Sequence, residues 1–200
     1  MVKIIRNNKT EVNALHLKGG FQEKKYLDIL LKSLKQNKNV LRKIIIFDVK
    51  TDTAKYLKSN LPQIILAPSV AHPYDIERYN VAVKRTLMPI EETIQNRHLF
   101  DWVWLDEWDL TGGNNSTKIL YNEDNFNTLR KYGFKIALVT PELHATSPNL
   151  LGGESHQSAK DVETLKKRIN EIIKLKPDAI CTDYPDMVKK LIIQNKGCNI

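Results

Sequence analysis

Titratable side chains in this sequence collect where apolar runs end. Asp48 closes IIIFD, Asp106 and Glu107 close VWLDE, Glu142 follows ALVTP, and Asp183 closes AICTD. His72 stands in APSVAHPYD, and His144 follows Glu142 by two residues in TPELH. Carboxylates brought together from several strand ends suit a hard divalent cation, Mg or Ca, which prefers several oxygen ligands. Histidine can move a proton near neutral pH. Lys50, two residues after Asp48, offers a point charge for an anionic oxygen. Trp108, beside Asp106 and Glu107 in WVWLDEWDL, offers an indole face to a sugar or glycerol ring. Each residue also has a plainer reading. Asp48 follows IIIF and needs a partner, which an ion pair with Lys50 or an arginine would supply. Lys50 can be a solvated lysine, His72 a loop hydrogen-bonder, and two of the tryptophans packing between sheet and helices. His98 and His156 read as helix-end and loop residues. Asp183 reads as the cap of the helix that begins at Tyr184–Pro185.

The elements that must position these groups alternate. Apolar runs predict strands over 12–17, 43–50, 63–68 (stopped by Pro68), 101–108, 134–140 and 177–183. Helical spacing marks 23–36, and helices follow over 51–60 behind a Thr/Asp cap signal, 75–84, and 88–97 with Pro89 near its start. Further helices span 123–132, ended by Gly133, then 159–175 and 184–195. Loops cover 111–117 and 142–157. Strands alternating with helices imply a parallel sheet with helical crossovers, as a barrel or an open sheet. Both architectures put sites at strand C-termini. The chain has no GxGxxG and no GxxxxGK[ST], which disfavours a nucleotide-binding open sheet. Six strands are legible, seven if VKIIR at the start is one. A complete eight-stranded barrel takes about 250 residues, and this chain has 200. The expected fold is α/β, a TIM-barrel-type repeat incomplete at its N-terminus, in one domain over 1–200.

Composition narrows the partners. With 42% hydrophobic and 27% charged residues the chain is neither disordered nor fibrous. No apolar run approaches the roughly 18 residues of a membrane span, and the polar opening MVKIIRNNKTE is no signal peptide. A cytoplasmic protein without stable membrane insertion is expected. The net charge of +8 is mostly lysine on amphipathic stretches, which reads as solvated helix faces. No helix-turn-helix, zinc finger or RNP motif points to nucleic acid. Two cysteines make no disulfide framework. Cys181 reads as a small core residue and Cys198 as exposed.

DAICTDYPDMVKKL resembles the last strand and helix of the glycerophosphodiester phosphodiesterase family, which carry T-D-x-P-D. IIIFDVK then matches the family's strand ending E-x-K, with Asp48 and Lys50 at the two polar positions. KYLDILLKSLK is similar to its T-L-x-E-x-L helix, and IALVTPELH takes the place of the strand that ends near W-T-x-N. The resemblance spans roughly residues 20–194. The family's His-Arg-Gly is absent. VKIIRNNKTEVNALHLKGG lies over the family's second strand and turn, which puts His16 at the second catalytic histidine, with Leu17 in place of the aspartate.

What the resemblance implies is metal-assisted hydrolysis of a glycerol- or sugar-linked phosphodiester, in lipid metabolism. Asp48, Asp106 and Glu142 would hold Mg or Ca. Lys50 would bind phosphate, His16 or His144 would act as acid and base, and His72 and Trp108 would touch substrate. The absent His-Arg-Gly favours a different reading, a catalytically inactive barrel remnant that binds a ligand or a partner protein. Open barrel edges would then call for cover, as in a homo-oligomer. A Schiff-base role for Lys50 in an unrelated lyase is disfavoured, since Asp48 and Asp52 would keep its amine protonated.

Overall fold

Short β-branched runs pair in strict chain order. The computed structural model describes residues 5, 12–83, 86–110, 116–141 and 156–197. Its strands are β1 (Asn13–His16), β2 (Ile44–Phe47), β3 (Ile65–Ala67), β4 (Ser69–Val70), β5 (Trp102–Leu105), β6 (Lys135–Val139) and β7 (Ala179–Cys181). The helices are α1 (Lys24–Lys35), α2 (Thr51–Asn60), α3 (Pro73–Val83), α4 (Ile90–Gln95), α5 (Glu123–Lys131), α6 (Val162–Lys174) and α7 (Pro185–Gly197). Every pairing is parallel, in the orders β1-β2-β3 and β4-β5-β6-β7.

Pro68 divides one run into β3 and β4. It lacks an N–H, but its carbonyl accepts from Trp104 N at 3.0 Å, and Leu66 O accepts from Asp101 N at 3.0 Å. The run therefore continues through Ser69–Val70 instead of stopping at Pro68, and it joins the two ladders. Each strand neighbours the next in sequence, so the order never reverses as it does in a doubly wound sheet. The architecture is the TIM-barrel type. The described strands do not close on themselves, which leaves β1 and β7 as edges.

The strand period of two sends alternate residues to opposite faces. Ile44, Ile46, Leu66, Val70, Val103, Leu105, Ile136 and Leu138 join Leu27, Leu31, Leu57, Phe126, Leu129 and Ile172 of the helices in the main core. Ile45, Ala67, Trp102, Trp104 and Ala137 form a second cluster on the lumen face, with Phe47 and Val139 against it. Trp102 and Trp104 thus line the lumen and do not pack between sheet and helices, because Val103 and Leu105 hold the helix-facing phase. Ala67 is small enough to let Phe47 and Trp104 stack across it at 3.9 Å. Cys181 is exposed, not core. It lies on edge strand β7, and no described strand lies beyond it.

The capping signals are met in part. Asn122 accepts from Asn125 N at α5, and Asp161 from Thr164 N at α6. Gly133 ends α5 with φ +86°, a conformation that costs glycine little. Helix α2 starts at Thr51, with Lys50 at the cap and no side-chain cap bond. At α7 the Thr182 hydroxyl accepts from Tyr184 N at 3.1 Å, while Asp183 is exposed. Among the described residues no helix is long and apolar enough to cross a membrane. VKIIR (apart from Ile5), residues 111–115 and Cys198 lie outside the described residues.

Ile46 is fully buried on the helix-facing side, whereas Ile29 of α1 is 68% exposed. In urea titrations Ile46→Ala should lower the unfolding free energy by about 2–5 kcal/mol, and Ile29→Ala by less than about 0.5 kcal/mol.

Candidate functional site

His16 is the last residue of β1 and sits in register with Phe47, the last residue of β2. Asp48 follows at once. This register brings His16 Nε2 to 2.9 Å from Asp48 Oδ2. Asp48 is 1% exposed and has φ +66°, a left-handed conformation that few non-glycine residues adopt and aspartate tolerates better than most. Its neighbours explain how it is kept there. The Asp48 carbonyl accepts from Gln22 Nε2 at 2.6 Å and from Thr86 Oγ1 at 2.7 Å. Its Oδ1 accepts from Thr86 N at 3.3 Å and lies 2.7 Å from the same hydroxyl. Gln22 also donates to Leu17 O and accepts from Lys50 N, so one amide ties the β1 turn to the β2 turn.

The positive φ ends the strand alternation at Asp48. Asp48 and Lys50, two residues apart, therefore do not share a face: Asp48 is buried and Lys50 exposed. Among the described residues the His16 ring meets Asp48 Oδ2, and Lys50 makes no ion pair with it. Lys50 lines a cavity of about 220 Å³ together with Thr51, Thr86 and Glu92. Phe47 stacks on the His16 ring at 4.6 Å.

The acids after β5 part company. Asp106 N donates to Val70 O at 2.9 Å, so Asp106 continues the lumen-facing phase of Trp102 and Trp104. Glu107 takes the opposite side and is buried. It accepts from Leu120 N at 2.7 Å, Tyr121 N at 3.1 Å and Arg168 Nη2 at 2.7 Å. His156 Nε2 lies 3.7 Å from Glu107 Oε1. Burial alone would raise the Glu107 carboxyl, but His156, Arg168 and the Tyr121 amide outweigh it and hold it below its ordinary range. Burial, aided by the Glu107 and Asp106 charges, pushes the Tyr121 phenol well above its ordinary value. Its hydroxyl lies 3.0 Å from Leu105 O and 2.8 Å from Val139 O, bridging the ends of β5 and β6. His156 is a loop residue as read, yet it is buried, and its Nδ1 accepts from Ser158 N at 3.0 Å. No spacing in the sequence marks this Glu107–Arg168 contact, which joins residues 61 apart.

A second buried cluster was equally silent in sequence. Lys118 pairs with Asp75 and, at 3.5 Å, with Asp109, while Arg78 reaches Asp75 at 3.2 Å. It ties the segment after β5 to α3. Trp108 stacks on Tyr79 at 3.9 Å, so one face of the expected ring platform is covered by protein. His72 Nδ1 accepts from Tyr74 N at 3.2 Å, the loop hydrogen bond that was its plainer reading.

Glu142 and His144 lie outside the described residues. Among the described residues no group of three or more His, Cys, Asp or Glu could hold a metal ion. Both Asp48 oxygens face protein partners, and Asp106 and Glu107 turn to opposite sides. The described residues thus do not by themselves fit a divalent cation. Predicted ligands Asp48 and Asp106 both sit at the strand ends, while predicted acid–base residue His16 meets Asp48 directly.

A carboxyl depressed by folding adds stability that is present above its unfolded pKa, about 4.3, and is lost as pH falls through its lower folded value. Glu107→Gln should remove that acid limb from a pH series of urea titrations. It should also cost about 2–4 kcal/mol near neutral pH, because Arg168 loses its buried counter-charge and keeps only the exposed Glu171 at 3.3 Å.

No protein-family model matches the sequence, and no curated protein matches it. Solved structures do resemble it. A glycerophosphoryl diester phosphodiesterase from Parabacteroides distasonis ATCC 8503 superposes with a TM-score of 0.57 at 13% identity, over 97% of this chain and 54% of that one. A glycerophosphodiester phosphodiesterase from the same organism gives 0.54 at 13% identity, over 92% of this chain and 56% of that one. An enzyme of Galdieria sulphuraria provisionally given the same name gives 0.58 at 14% identity, over 96% and 61%. The chain spans little more than half the length of these structures. It has a glycerophosphodiester phosphodiesterase-like fold, an α/β barrel type whose described strands stay open.

Proposed function

We propose that the chain is a phosphoric diester hydrolase acting on a glycerol- or sugar-linked phosphodiester, with His16 and Asp48 as its proton-transfer pair. The observation that carries this reading is the 2.9 Å contact between the two, set at adjacent strand C-termini of a phosphodiesterase-like barrel, where barrel enzymes keep their chemistry. Phosphodiester cleavage requires protonation of a leaving alkoxide and offset of phosphate charge. Asp48, which can only accept as a carboxylate, orients the imidazole. Lys50 is exposed beside the 220 Å³ cavity and would meet a phosphate oxygen there. His144 is the second proton carrier of the proposal, and His72 and Trp108 its substrate contacts. The same reading includes divalent-metal dependence, with Asp106 and Glu142 as ligands. The same reading carries a cytoplasmic site of action in lipid metabolism.

A second reading, a catalytically inactive binding module, is favoured by one observation. Asp48 is 1% exposed and both its oxygens are occupied by protein. In that reading the open edges β1 and β7 are covered by a second copy of the chain.

Turnover of bis-p-nitrophenyl phosphate and of glycerophosphodiesters, with and without Mg, Ca or Mn, separates the two. His16→Ala and Asp48→Asn should each lower kcat about 100-fold or more while circular dichroism is unchanged. Asparagine is chosen because it tolerates the left-handed backbone at 48. Absence of turnover with any metal, from folded protein, would favour the binding module, and a sedimentation mass of two chains would support the covered edges.

A further inference from the structure

We propose that Thr86 and Gln22 are positioning residues that hold His16 in its Nε2–H tautomer and leave Nδ1 as the nitrogen that exchanges a proton with substrate. The tautomer follows from contacts alone; only the exchange with substrate rests on the hydrolase reading.

A carboxylate accepts hydrogen bonds and donates none. With Asp48 Oδ2 at 2.9 Å, the neutral imidazole must carry its proton on Nε2. Nδ1 makes no hydrogen bond among the described residues, and the His16 side chain is 30% exposed. Nδ1 is therefore the nitrogen open to a ligand. This assignment holds only while Asp48 keeps its carboxylate in place, and Asp48 does not do so unaided. Its φ of +66° is disfavoured for any side chain, and such strain persists only where surroundings impose it.

Gln22 and Thr86 impose it. Gln22 Nε2 at 2.6 Å and Thr86 Oγ1 at 2.7 Å take the Asp48 carbonyl. The same hydroxyl, whose one proton is shared between the two oxygens, lies 2.7 Å from Oδ1, and Thr86 N donates to Oδ1 at 3.3 Å. Both donors act on one oxygen, so the other is turned to His16. Thr86 reaches this point because the chain returns from α3 and lays Met88 beside β4, with Met88 N donating to Ser69 O at 3.0 Å and Ala71 N to Met88 O at 3.3 Å. A residue 38 positions from Asp48 thereby sets the ring chemistry of a residue on β1.

The test reads the imidazole directly, by long-range proton–nitrogen correlation on protein with ¹⁵N-labelled histidine at about pH 9, well above the ordinary imidazole pKa of about 6.5. Wild type should show a single Nε2–H tautomer for His16. Thr86→Val keeps shape and removes the hydroxyl. It should give a tautomer mixture and about a tenfold loss of kcat/KM, with Thr86→Ser restoring both to within about twofold. Asp48→Asn should invert the tautomer to Nδ1–H. Thr86 supplies donors at Oδ1, so the amide oxygen sits there and the NH₂ faces Nε2. Should Thr86→Val fail to fold, Gln22→Ala, which frees the Asp48 carbonyl, should produce the same mixture. A wild-type Nδ1–H form, or a pure Nε2–H form that persists in these variants, would overturn the assignment. Expected tautomers in a protein without turnover would uphold the positioning role and overturn the hydrolase reading instead.

Discussion

Consecutive parallel pairing requires every helix to carry the chain back to the same end of the sheet before the next strand begins. All strand C-termini then share one rim. His16, Asp48 and the Asp106–Glu107 pair reach that rim from three strands that are far apart in sequence. The same constraint explains why the helix-facing core is continuous from β1 to β7. Each new crossover covers the strand pair before it, and the lumen is left to Ile45, Ala67, Trp104 and their neighbours. His16, Phe47 and Trp104 stack in one aromatic row along that face.

Burying acids at a rim is costly unless each finds a counter-charge or several donors. Three solutions are visible. Asp48 uses neutral donors on one oxygen and a histidine on the other. Glu107 uses Arg168 with two backbone amides. Asp75 and Asp109 share Lys118. Asp48, Glu107 and the Asp75–Asp109 pair are satisfied by different groups, and among the described residues no three of these acids gather into one metal-binding cluster. Two of the three solutions act as bolts. One fastens the segment after β5 to α6, the other fastens it to α3. The rim is therefore held by polar contacts where the apolar core ends.

The reach of sequence reasoning differs from residue to residue. The run KIIIFDVK announced a buried strand and an acid at its end, and DAICTDYPDMVKKL announced a strand, a turn and a helix. Both are present, as β2 with Asp48 and as β7 with α7. His16 could be singled out only through its resemblance to a family histidine, since VNALHL has no local feature that separates a site histidine from a strand histidine. Pro68 was overread: a proline ends a strand only if its missing N–H is needed, and here its carbonyl alone keeps the ladder. The phase of WVWL was also misjudged, because alternation says which residues share a face but not which face is the lumen.

What the sequence alone determined is periodic: strand and helix alternation, the parallel α/β class, and the placing of titratable groups after strands. Local hydrophobic spacing dictates these, and it is written within a few residues. What only the tertiary structure decided is pairing between distant residues. His16 with Asp48, Thr86 with Asp48, Glu107 with Arg168 and Lys118 with Asp75 join positions 32, 38, 61 and 43 apart. The left-handed turn at Asp48 belongs to the same class, since aspartate only tolerates that backbone and Gln22 and Thr86 hold it. Side-chain hydrogen bonds act over about 3 Å, so they are set by how strands register and crossovers return, which a one-dimensional pattern does not record.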